Sequence, residues 1–249
     1  MKKTGFTLLA LSLMLGAASC VSPGRAAVLA DFQPIALVSV VSNWDINWHG
    51  EEAVNPGFIS AGARRSLHEN PDLAIVLNAE ELINTAENLV RGIMPLSGLI
   101  IFAEPESVFL SAAYSEAPLN RRRMNHPYVV PQAYRLIDPR NRNFPAALAE
   151  ETGIQRSMFV EFNFTKAMRS GIGRSGQAGA NVDMRVLIVD AGGRTLFSRT
   201  FTALSRGTIG VSSGMYSRSG LIALLEAAIS DACYNFLDHL EDRLFASRW

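Results

Sequence analysis

The chain has 249 residues, 48% of them hydrophobic and 18% charged, and its 23 basic side chains balance its 23 acidic ones. That neutrality excludes the basic footprint of a nucleic-acid binder, and two cysteines are too few for a disulfide-built scaffold. With the leader described next removed, roughly 230 residues remain, enough for one large domain or two small ones.

Lys2 and Lys3 precede an apolar run from Phe6 to Leu15, and the small residues Gly16, Ala17, Ala18 and Ser19 follow it. This is the form of an export signal over residues 1–19, and its apolar core falls well short of the roughly 20 residues a bilayer span needs. Cys20 comes directly after the small residues. The arrangement resembles the lipobox of bacterial lipoproteins, with Ala17 where the family more often carries Leu, Val or Ile. The resemblance implies that the signal is removed before Cys20, that its sulfur and new amino terminus carry acyl chains such as palmitate, and that membrane attachment is lasting. It places the protein in the cell envelope, at the periplasmic face of the outer membrane. Cys233 is then left without an intramolecular partner, and its place on an apolar helical stripe reads as a buried structural cysteine.

Residues 20–33 read as the lipidated tether and 34–249 as a single α/β domain, with no further segment long and apolar enough to span. "IALVSVVS", residues 35–42, is a continuous apolar run of strand length and is expected to be a buried strand. Asn78 is placed to cap a helix with Glu81 reaching back, and Leu82, Ile83, Ala86, Leu89, Val90 and Ile93 recur at helical spacing. A short helix is expected from Glu106 to Tyr114, an edge strand in "HPYVVP" at 126–131, and a helix in "PAALAEETG" with Pro145 in its first turn and Gly153 as its stop. Met158, Val160, Phe162 and Phe164 alternate with polar residues, as do Val182, Met184, Val186 and Ile188, and Gly192-Gly193 turns into "RTLFSRTFTAL". That makes a three-strand antiparallel meander. A long helix from about Ser219 to Phe245 carries its apolar residues on one stripe and packs on the sheet.

The steps "ALAEETGIQRSMFVEFNF" and "VLIVDAGGRTLFSRTF" resemble those of small α/β lipoprotein domains. These include the curli-secretion lipoprotein CsgG, the amino-terminal domain of TolB and the lipoprotein activators of peptidoglycan synthases. The likeness covers residues 35–42 and 145–245 and leaves 43–77 and 96–126 as insertions. It implies the architecture and an adaptor role, docking on envelope proteins or self-assembling, and carries no binding residue across.

Chemical motifs are thin. "GVSSG" at 210–214 fits the nucleophile elbow in letters, but Ser212 lies between strand and helix and the only downstream histidine, His239, sits on the final helix. "GIGRSG" at 171–176 joins two strands, where a dinucleotide fingerprint would open a helix. Asp45, His49, Glu51 and Glu52 offer metal donors without a second cluster, and a loop held by Trp44 and Trp48 is the simpler reading. The "NFT" at Asn163 lies inside a strand. The expectation is therefore no catalytic residue, no metal and no cofactor.

In a meander, the loop leaving the first strand and the segment leaving the third emerge at one end of the sheet. Those are residues 169–180 and 205–220, rich in Gly and Ser, carrying Arg169, Arg174, Arg206, Tyr216 and Arg218. They are expected to form one mobile binding edge. The function expected is a lipid-anchored, non-enzymatic module binding an envelope protein or itself. The alternatives are a periplasmic hydrolase or metal-dependent enzyme using Ser212 or the 45–52 cluster, and a carrier of a small or lipidic ligand.

Overall fold

The computed structural model describes residues 34–49, 61–120, 128–172 and 175–246. Cys20, Arg174, Glu51 and Glu52 lie outside them. The fold is α+β: a mixed sheet of nine strands with helices packed on both faces and a long helix at its end.

The apolar run near the start forms strand β1, Ala36–Asn43, buried along nearly its whole length. Strands β5 (Arg156–Ile172), β6 (Ser175–Asp190) and β7 (Thr195–Leu204) are the antiparallel meander. Five short strands complete the sheet: β2 (Asn47–Trp48), β3 (Leu73–Ala74), β4 (Tyr128–Val129) and the hairpin pair β8 (Ile209–Ser212) and β9 (Met215–Ser217). The order is β3-β9-β8-β6-β5-β1-β4, with β2 also beside β5 and β7 also beside β6. The β1–β5 pair is parallel, which requires a long crossover, here supplied by the helices between them. As β1 ends, the Asn43 side chain exchanges hydrogen bonds with the backbone of Phe164, receiving its N–H at 2.8 Å and donating to its carbonyl at 3.0 Å. The side chain stands in for a strand residue until β2 takes up the pairing at Thr165.

One face of the sheet carries Met158, Val160, Phe162, Val182, Met184 and Val186, each 0–1% exposed. Helix α2 (Glu80–Ile93) and the final helix α6 (Arg218–Ala246) cover it. Helix α1 is Ala61–Glu69. Among the described residues α6 has the length and apolar composition of a membrane span, contrary to the expectation that no segment after the leader has. Its Leu221, Leu225, Ala228, Ile229, Ala232 and Phe236 are each fully buried in the core cluster of that face. Among the described residues the other face is covered at one end, where Ala36, Val38, Phe159 and Val189 meet Tyr114, Phe144 and Leu148. Those come from α4 (Ala112–Ser115) and α5 (Asn143–Thr152), with α3 (Pro105–Phe109) alongside.

Several local expectations are revised. The helix foreseen over 106–114 is two, because Ser111 takes an extended conformation and accepts a hydrogen bond from Tyr114 N–H, opening α4. The carboxylate of Glu151 receives the N–H groups of Ala112 and Ala113 at 2.8 Å. Asn78 does accept from the Glu80 N–H, but Glu81 does not reach back: it pairs with Arg218. The stretches 43–77 and 96–126 contribute β2, α1, β3, α3 and α4, so they are built into the sheet and its cover.

The start of α6 is capped from far away in sequence. Asp72 receives the Ser219 N–H at 2.8 Å and the Ser217 hydroxyl at 2.7 Å, and those bonds hold its carboxyl below the ordinary range. The Ser217 hydroxyl in turn receives the Gly220 N–H.

Candidate functional site

The two Gly/Ser-rich segments do lie side by side, but as strands and not as loops. Pairing of β5 with β6 continues to Ile172↔Ser175, so the connection shrinks to residues 173–174. Beyond Met168 this pair is a β-ribbon that extends past the packed core: residues 169–172 are exposed and Ile172 is 92% exposed. Gly171 and Gly176 face each other across it with φ of 125° and 147°. A Cβ on either would lie 2.1 Å from a carbonyl oxygen of the other strand, so the backbones can approach this closely only as glycine. Strand β8 flanks the β6 side of the ribbon from its base almost to its last pair, pairing Ala178↔Ile209 and Gly176↔Val211.

The residues assigned to this edge are not one patch. The guanidinium of Arg169 lies over Gly179 and 3.5 Å from the Ser205 carbonyl. Arg206 projects into solvent, 3.5 Å from Asp231 of α6. Arg218 is spent on an ion pair with Glu81, its Nε at 3.0 Å, which ties α6 to α2. Tyr216 does not belong to a binding edge: it is 1% exposed, because β9 turns it into the core. There its hydroxyl accepts from Lys166 Nζ at 3.1 Å, and that ammonium stands 4.7 Å from the Tyr216 ring and 5.2 Å from Trp48. Burial raises the Tyr216 phenol well above its ordinary range.

Ser212 ends β8 and is followed by Ser213 and Gly214 with φ of 53° and 83°, a two-residue hairpin into β9. That turn is not the strand-to-helix elbow a serine nucleophile needs. His239 lies against Arg199, its ring nitrogens 3.0 and 3.1 Å from the guanidinium, and desolvation followed by the Arg199 and Arg243 charges lowers its pKa. Among the described residues no group of three His, Cys, Asp or Glu side chains could hold a metal. Cys233 is fully buried, its sulfur 3.9 Å from that of Met184, and burial pushes its thiol up to about 12.

A second feature escaped the sequence reading. On the half-covered face a cleft of about 420 Å³ opens between the loop before α5 and the ends of β6 and β7. Arg140, Arg142 and Arg185 line it, with Asn120, Thr195 and Ser198 among its polar walls. Gly193 lets the β6–β7 turn approach: with φ at 72°, a Cβ there would meet Arg142 at 2.9 Å. The signal was present in "DPRNRNFP", two arginines among turn formers just before a helix, but Arg185 comes from a strand far along the chain.

No family model matches this chain, and none of the curated proteins matches it.

Proposed function

We propose that this chain is a membrane-anchored envelope lipoprotein, a non-enzymatic binding or assembly module for a protein partner, with Cys20 as its anchor and the β5–β6 ribbon as its docking element. The ribbon carries the reading. It continues the sheet beyond the core, it is held to one shape by facing glycines and by β8, and it presents Ile172, an apolar side chain left almost wholly in water. Long hairpins with exposed apolar tips lose solvent contact only when something else covers them. The location rests on the leader and on Cys20, and the adaptor role accords with the resemblance to small envelope lipoprotein domains.

The test is crosslinking in cells from a photoreactive residue at position 172, followed by capture from membranes. Wild type is compared with Ile172→Asp and with an exported Cys20→Ser form. A discrete partner band or a self-ladder that disappears in both variants supports the module. Crosslinks that are absent, or that ignore both changes, overturn it. Ser212→Ala and His49→Ala test the enzymatic alternatives: loss of cellular function in either brings those back.

A further inference from the structure

We propose that the cleft beside α5 is a binding site for a small molecule bearing a phosphomonoester, a function separate from ribbon docking. Three guanidinium groups line it, those of Arg140, Arg142 and Arg185, against one carboxylate, that of Asp138. One oxygen of Asp138 is already occupied by the Arg140 backbone N–H at 3.0 Å. Neither Arg140 nor Arg142 is ion-paired among the described residues, and Glu161 meets Arg185 only at 4.0 Å, from the adjoining recess. Arginines thus outnumber carboxylates even with Glu161 counted, a positive wall suited to a phosphomonoester, which carries about −1.5 to −2 at neutral pH.

Three further observations point the same way. Asn120 lines the cleft at 7% exposure, so its amide adds a neutral polar group to the wall. Helix α5, ten residues long, begins at Asn143 with its N-cap Arg142 in the wall, adding the positive end of a helix dipole. A cleft of about 420 Å³ suits a phosphorylated metabolite or a single lipid headgroup, since small-molecule pockets start at about 300 Å³. Planar guanidinium groups bind phosphate oxygens in pairs, and the Thr195 and Ser198 hydroxyls supply neutral donors.

The test is isothermal titration of the chain purified from membranes in non-ionic detergent. The probes are inorganic phosphate, glycerol 3-phosphate, short-chain phosphatidic acid and, as control, acetate. Saturable binding of phosphate and glycerol 3-phosphate, with acetate weaker, is expected, and Arg140→Ala/Arg142→Ala should weaken it about tenfold or more. Arg185→Gln is the second variant, and an unchanged melting temperature in both shows that the fold survives. Tighter binding of phosphatidic acid than of glycerol 3-phosphate identifies the source as a lipid headgroup, and equal binding a free phosphate. No saturable binding of any phosphate probe, or an affinity indifferent to both variants, overturns the proposal.

Discussion

Lys166 donates a hydrogen bond to Tyr216 across 3.1 Å in the interior, joining the middle of β5 to the last short strand of the sheet. Lys166 is the one lysine after Lys3, and it is 2% exposed. Removing the acceptor by Tyr216→Phe leaves an ammonium without a bond it was folded to make. The expected cost is about 1–3 kcal/mol. Tyr234→Phe, at a half-exposed position, is the control and should change nothing. Urea denaturation of the two variants checks this, and equal midpoints would refute it.

Cys233 should be inert in the folded protein. Its thiol is fully buried and its pKa is pushed up to about 12, so almost no thiolate exists at neutral pH. With Cys20 blocked or replaced, labelling by a maleimide is expected only as the domain opens globally, at a rate that rises with urea. Rapid labelling in native buffer would show that α6 separates from the sheet on its own.

Alkali should unfold the domain. Burial raises Tyr114 to about 12 and pushes Tyr134 and Tyr216 higher, while the unfolded thiol and phenols ionise near 9 and 10. A folded-state pKa above the unfolded value contributes stability that is complete below the unfolded pKa and is lost as pH rises. The melting temperature should therefore hold up to about pH 9 and then fall by several degrees or more by pH 11. A flat profile across that interval would contradict the burial of these groups.

Ile172→Asp should leave the fold alone. At 92% exposure the side chain contributes little to the core, so stability is expected to stay within about 0.5 kcal/mol of wild type. Gly171→Ala, by contrast, places a Cβ 2.1 Å from the Ser175 carbonyl and should distort the ribbon. Backbone NMR of the two variants separates them: shifts confined to the tip for the first, and spreading along β5 and β6 for the second.

Much of the architecture was legible because periodicity is a local signal. Met158 to Phe164 alternate regardless of what packs on them, and Gly153 stops α5 with φ of 76°, as a left-handed terminator does. The ribbon was not legible, since "RSGIGRSGQAGA" has no apolar alternation and a single β-branched residue, Ile172, and only pairing with its own return strand makes it β. Tyr216 sits in a sequence of turn formers, and nothing local reveals that a lysine fifty residues earlier waits for its hydroxyl. The arginine-lined cleft is assembled from the loop at 138–142, a strand and a turn, a convergence that spacing along the chain does not encode.

The cap of α6 by Asp72 spans 147 residues, so the helix acquires its terminal partner only after the chain has closed nearly its largest loop. Contacts at such separation form late on the way to the native state, after local strands and hairpins have gathered. That separation predicts a latch that sets late, so Asp72→Ala should speed unfolding far more than it slows folding. A chevron in which only the unfolding arm moves would display that latch.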